Sequence, residues 1–150
     1  MAVSLGLDFG TTSVSVAVID EGGRLVGRRT RVHRADVAGL GPGRAEQSPG
    51  VLLETGIELL REAAARLQET PACLGLTGQM HGLLLADAEL TPVGNLVTWQ
   101  DKRALDCREG GETPLARFRA LCDPSAVART GCAPSPGYLA VTLFAIGRDG

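Results

Sequence analysis

Asp8, Gly10, Thr11 and Thr12 fall in one stretch, Leu5-Gly-Leu-Asp-Phe-Gly-Thr-Thr-Ser-Val-Ser-Val-Ala-Val-Ile-Asp20, and they are the residue types that a phosphate and its counter-ion require. Gly10 lets backbone approach a ligand with no Cβ in the way. Successive turn N–H groups, with the Thr11 and Thr12 hydroxyls, can cradle phosphate oxygens. Asp8 closes an apolar run and can hold Mg²⁺ directly or through its waters, because this ion takes oxygen ligands and keeps several waters. A plain surface hairpin, with Asp8 and Thr11 making local turn bonds, accounts for the same residues. Two better-known phosphate motifs are absent: there is no G-x-x-x-x-G-K-[ST], and no G-x-G-x-x-G runs from the opening strand into a helix. Asp8-Phe9-Gly10 has the letters of a protein-kinase motif, but no His-Arg-Asp loop precedes it.

A second group of polar and aromatic residues follows, Gln79, Met80 and His81 in Gly78-Gln-Met-His-Gly82, then Trp99 and Asp101 in Leu96-Val-Thr-Trp-Gln-Asp-Lys-Arg103. Taken singly each has an ordinary reading: a hydrogen-bonded histidine, a core tryptophan, a gap-filling methionine, an aspartate capping a helix start. Taken together they gather where strands stop, the edge at which α/β sheets bind ligands.

The elements that must position these residues follow from periodicity. Val3 to Phe9 is a short apolar run, and Ser13 to Ile19 alternates small polar with β-branched residues, as a pleated strand does. After the turn Asp20-Glu-Gly-Gly23, Leu25 to Val32 resumes, so the first 32 residues predict an antiparallel three-stranded meander. His33 to Gly50 is polar, glycine-rich and aperiodic and reads as a long surface loop. Ser48-Pro49 supplies a helix N-cap and first position. Leu52, Leu53, Ile57, Leu60, Ala64 and Leu67 then recur at helical spacing until Thr70-Pro71. A strand over Ala72 to Leu76 makes the pattern α/β; two strands flank the Gly78–Gly82 link, and a third delivers Trp99 and Asp101 to its end. Further on, Glu109-Gly-Gly-Glu112 is a break. Short helices are predicted over Pro114–Cys122, from Asp123-Pro124 to Gly131, and over Tyr138–Ile146.

Composition bounds the function. With 150 residues and 44% hydrophobic content the chain can bury a core, and with 3% aromatics that core must be Leu, Val, Ile and Ala. A net charge of −2 offers no basic field for nucleic acid or an anionic membrane. No apolar run approaches the roughly 20 residues needed to span a bilayer, and the N-terminus lacks the charged region of a secretion signal. Cys73, Cys107, Cys122 and Cys132 show no C-x-x-C spacing, which points to free or buried thiols in a reducing cytoplasm.

As a set, Gly6-Leu-Asp-Phe-Gly-Thr-Thr12, Glu46-Gln47 before a helix, Gly78-Gln-Met-His-Gly82, Trp99-Gln-Asp-Lys-Arg103, Thr130-Gly131 and Pro136-Gly-Tyr138 resemble the N-terminal region of the FGGY carbohydrate kinases. The resemblance is strongest to sedoheptulokinases, then xylulokinases; glycerol kinases carry a different pair at Met80-His81. It implies an actin-like, ribonuclease-H-like α/β fold, with a mixed sheet flanked by helices and a catalytic cleft between two domains. It also implies transfer of the ATP γ-phosphoryl to a hydroxyl of a ketose. Asp8 would then serve Mg²⁺, and Gly10, Thr11 and Thr12 the phosphates. Gln79, Met80 and His81 would line the sugar pocket, Trp99 would face the apolar side of the sugar, and Asp101 would accept hydrogen bonds from its hydroxyls. The family's catalytic base and adenosine pocket lie further along than Gly150. The expectation is therefore the N-terminal portion of domain I, with domain II absent: a truncated product, split gene or deliberately shortened chain, inactive alone and awaiting its missing domain or forming a homo-oligomer. Two other readings compete. One is an ATP-binding module like that of actin or the heat-shock chaperones. The other is a non-catalytic fragment that associates with another chain.

Overall fold

Alternation of faces along a strand sorts the opening residues before anything else does. Leu5 and Leu7 of β1 (Ser4–Phe9) and Val14, Val16 and Val18 of β2 (Ser13–Ile19) are buried on one side of the sheet. Gly6, Asp8, Ser15 and Ala17 alternate with them and line a shallow trough of about 410 Å³ with Arg28, Gly75 and Thr77. The structure, a computed structural model, describes residues 2–107 and 110–147. After β2 come β3 (Leu25–Val32), β4 (Glu46–Gln47), α1 (Pro49–Ala64), β5 (Cys73–Gly78), β6 (Leu96–Val97), a 3₁₀ turn (Arg103–Leu105), α2 (Pro114–Leu121), α3 (Pro124–Thr130) and α4 (Leu139–Gly147). The break expected at Glu109 falls partly outside the described residues, with Gly110 and Gly111 both at positive φ beside it.

The described residues divide into two compact units, Met1–Ala35 with Ser48–Gln79, and Asp36–Gln47 with Met80–Gly150. In the first, the predicted meander is present: β1 pairs antiparallel with β2, and β2 with β3. β5 then joins β1 in parallel, giving the order β3-β2-β1-β5 and a mixed sheet. β5 borders that sheet with Leu74 and Leu76 exposed.

α1 covers the apolar face, and its start is as expected: Ser48 Oγ accepts from Val51 N–H and Pro49 takes the first position, where it has no hydrogen bond to lose. The buried stripe matches the expected one only in part. Leu52 is buried and Leu60 and Leu67 pack against the core, but the stripe centres on Thr55, Gly56, Leu59 and Ala63, while Leu53 and Ala64 are exposed. Gly56 explains the rotation, because the Phe9 ring lies so close that a Cβ there would come within 2.6 Å of Cζ. A contact that needs a missing side chain leaves no trace in hydrophobic periodicity.

In the second unit, β4 pairs antiparallel with β6 as a separate two-stranded ribbon, and Leu83 bridges to Val97. The strands expected around Trp99 are thus not members of the main sheet. They are reduced to the two-residue β6, paired with β4, and the isolated bridge at Leu83. The core here is Ala104, Leu115, Val141 and Ala145, packed by Phe118 and Tyr138. α3 starts on an Asp123 cap and ends at Gly131 in the left-handed conformation, as the sequence predicts. All four cysteines are free thiols, and Cys73, Cys107 and Cys132 are exposed rather than buried. Among the described residues no helix is long and apolar enough to cross a membrane.

Candidate functional site

In the first unit the sheet order decides what surrounds the Gly10–Thr12 turn. β3 runs antiparallel to β2 and β5 parallel to β1, so the residues that leave β3 and β5 arrive on either side of the β1–β2 turn. Gln79, just past β5, donates its N–H to Phe9 O at 2.8 Å, and its Oε1 accepts from Thr11 Oγ1 at 3.4 Å. His33, just past β3, is 5% exposed and places Nε2 3.0 Å from the Thr11 carbonyl oxygen. Gly10 closes the bend by donating to Ser13 O at 3.0 Å, and a Cβ on Gly10 would press on that same oxygen. Asp8 is exposed at the end of β1, on the trough side of the sheet, with the Ser15 and Thr77 residues beside it. An open carboxylate flanked by hydroxyl-bearing residues fits a hard, largely hydrated cation such as Mg²⁺. Among the described residues no three His, Cys, Asp or Glu gather into a protein-only metal cage.

The second unit holds Met80, His81, Trp99 and Asp101. Met80 is 78% exposed and Trp99, the sole tryptophan, 45%. His81 takes φ +62° and stacks on Tyr138, ring centroids 4.1 Å apart and planes 12° from parallel. A left-handed backbone costs a non-glycine residue about 1 kcal/mol or more and persists only where surrounding structure holds it. Tyr138 is part of that hold. Its neighbour Gly137, at φ +81°, lies flush on the Trp99 carbonyl, so that a Cβ would fall 1.8 Å from the oxygen. One loop therefore braces both the histidine and the tryptophan.

Asp101 is fully buried at its carboxylate. Oδ1 accepts from Arg103 N–H and Nε at 2.8 Å each, and Oδ2 accepts from Ala45 N–H at 2.9 Å and an Arg103 terminal nitrogen at 3.0 Å. The same guanidinium reaches Glu46 Oε1, whose other oxygen accepts from Asn95. Burial alone would raise the Asp101 pKa, but the Arg103 and Ala45 donors outweigh it and hold the group below the ordinary aspartate value. Glu46 is likewise held low against burial, by Asn95 and Arg103. The Asp101 held to face a substrate is in this geometry an anchor for Arg103. His33 joins the candidate residues of the first unit, and Glu46, Arg103 and Tyr138 those of the second. The motifs Glu46-Gln47, Trp99-Gln-Asp-Lys-Arg103 and Pro136-Gly-Tyr138 signalled the last three, whereas nothing in the sequence around His33 marked it.

The family of carbohydrate kinases named FGGY matches this chain through its N-terminal domain over residues 3–115. A glycerol kinase from Gloeobacter violaceus is 34% identical over 125 residues, which is 78% of this chain and 24% of that protein. The crystal structure of a xyloylose (xylulose) kinase from Brucella ovis superposes with TM-score 0.78 at 34% identity, over 98% of this chain and 29% of that one. Plasmodium falciparum glycerol kinase, crystallised with ADP, shares the fold at TM-score 0.77 and 23% identity, over 95% of this chain and 28% of the other. The chain thus spans about a quarter of the length of these relatives.

Proposed function

This chain belongs to the FGGY family of carbohydrate kinases and has their actin-like fold, and from that premise we propose that it carries the phosphate grip and the sugar-facing residues of an ATP-dependent ketose kinase. Its substrate is a xylulose- or sedoheptulose-like sugar, and the catalytic base and adenosine pocket come from sequence outside these residues. Gly10, Thr11 and Thr12 bind the phosphates through turn N–H groups and hydroxyls. Asp8 holds Mg²⁺, which when bound neutralises phosphate charge. Trp99 presents its ring to the apolar face of the sugar, Met80 and His81 border it, and Gln79 steadies Thr11. Asp101 serves the sugar side through Arg103. Phosphoryl transfer depends on positioning and charge stabilisation more than on covalent help, and this residue set supplies those two things.

The observation that carries this reading is the exposure of Trp99, whose carbonyl lies against Gly137, the neighbour of the Tyr138 that stacks on left-handed His81. Since Trp99 is the sole tryptophan, its fluorescence reports the pocket directly. Titration of the full chain with xylulose or sedoheptulose is expected to give a saturable change, and glycerol a much weaker one. A flat signal with both ketoses would remove the sugar-site assignment. An equal response to glycerol would remove the ketose preference.

A further inference from the structure

We infer that His33 is a positioning residue of the phosphate grip, fixing the Thr11 peptide through a hydrogen bond that only one imidazole tautomer can make; this rests on the phosphate role proposed for Gly10–Thr12. His33 follows directly on β3, is buried, and bonds at both ring nitrogens. Ala35 N–H donates to Nδ1 at 3.0 Å. An N–H cannot donate to a nitrogen that itself carries a proton, so the ring proton sits on Nε2. That nitrogen lies 3.0 Å from Thr11 O, a carbonyl that can only accept, so the bond runs from Nε2–H to the turn. The backbone N–H of His33 adds a second, longer link to Thr12 O at 3.4 Å.

The consequence is directional. With its carbonyl tied inward to His33, the Thr11–Thr12 peptide has its N–H end set as well, because the peptide is planar. A grip that works through backbone N–H groups gains most from fixing peptides before the ligand arrives. Gln79 restrains the Thr11 side chain from the β5 side, so the two strands flanking the hairpin each send one residue to the turn.

Two substitutions divide the imidazole's duties. In His33→Gln the side-chain amide nitrogen takes the place of Nε2 and keeps the donor to Thr11 O. In His33→Asn the side-chain oxygen takes the place of Nδ1 and keeps the acceptor for Ala35. Magnesium ATP is titrated into the full chain while the Gly10, Thr11 and Thr12 amide resonances are followed, and thermal midpoints are recorded for each variant. The expected result is a 3- to 10-fold weaker dissociation constant for His33→Asn, the scale of one hydrogen bond, with His33→Gln within about 2-fold of the parent whatever the two midpoints are. Equal affinity in His33→Asn and the parent would overturn the positioning role, as would a loss in His33→Gln as large as in His33→Asn. If the parent's turn amides do not respond to magnesium ATP at all, the phosphate role of the turn fails and this inference fails with it.

Discussion

Asp101 shows how one buried carboxylate can tie a loop, an arginine and a strand end together. Both its oxygens are filled by N–H donors, and its partner Arg103 is only 17% exposed at the side chain. Asp101→Asn replaces one acceptor oxygen by an NH₂ facing other donors, and leaves a largely buried guanidinium with Glu46 as its remaining carboxylate. The expected cost is about 3 kcal/mol, the scale for breaking a buried pair by changing one partner, read as a fall in the urea midpoint. The pH dependence has a definite sign. A carboxylate held below its ordinary value contributes stability that is complete above that value and disappears as pH falls through the lowered one. With Asp101 held below 3.8 and Glu46 below 4.5, the second unit is expected to keep its full stability at neutral pH and lose it only on acidification below about pH 4. In Asp101→Asn that acid-side loss is expected to shrink. An acid transition of unchanged steepness in the variant would show that Asp101 is not its source.

Between elements, what decides the site is how little room the packing leaves. Gly56 on α1 admits the Phe9 ring, and Phe9 is the last residue of β1, next to Gly10. On an exposed helix, glycine to alanine gains roughly 1 kcal/mol. Here the added methyl would meet ring carbons at 2.6 and 2.7 Å, and overpacking of that kind costs about 1–3 kcal/mol. Gly56→Ala is therefore expected to lower the thermal midpoint and, by moving Phe9, to weaken magnesium ATP binding. A rise in the midpoint would mean that the ring has space to yield. The same contact explains what the sequence could and could not reveal. The β1–β2–β3 meander, the Ser48 and Asp123 caps and the Gly131 stop were legible, because each is written in local residue types. The centre of the α1 stripe was not, since Thr55 and Gly56 are buried without being apolar. Nor was the β4–β6 ribbon, whose two-residue strands lie below any periodicity. His33 joins Thr11 across 22 residues and Arg103 joins Glu46 across 57, separations that no spacing rule covers.

At the scale of the molecule, the residues proposed to bind phosphate and those proposed to face the sugar belong to different compact units, apart from Gln79, which stays with Thr11. The family itself was legible because its motifs occur in order along the chain; the buried state of Asp101 was not, because it depends on Ala45 and Arg103 closing around it. Binding and turnover make different demands on such an arrangement. Each ligand needs only its own residues fixed in advance, whereas transfer needs an acceptor hydroxyl, a base and the γ-phosphoryl held in line within a few tenths of an ångström. The 150 residues span about a quarter of the length of these relatives, and the function proposed above draws its catalytic base from sequence outside them. The expected behaviour is therefore binding without turnover: a ketose-dependent change at Trp99, an ATP-dependent change at Gly10–Thr12, and no sugar-dependent ADP release above the rate with sugar omitted. A coupled ADP assay on the purified chain checks this, with the fluorescence and amide responses measured on the same sample so that silence in the assay cannot be put down to an unfolded protein. Sugar-dependent ADP release that is lost in Asp8→Asn would show that these residues already contain a complete kinase site.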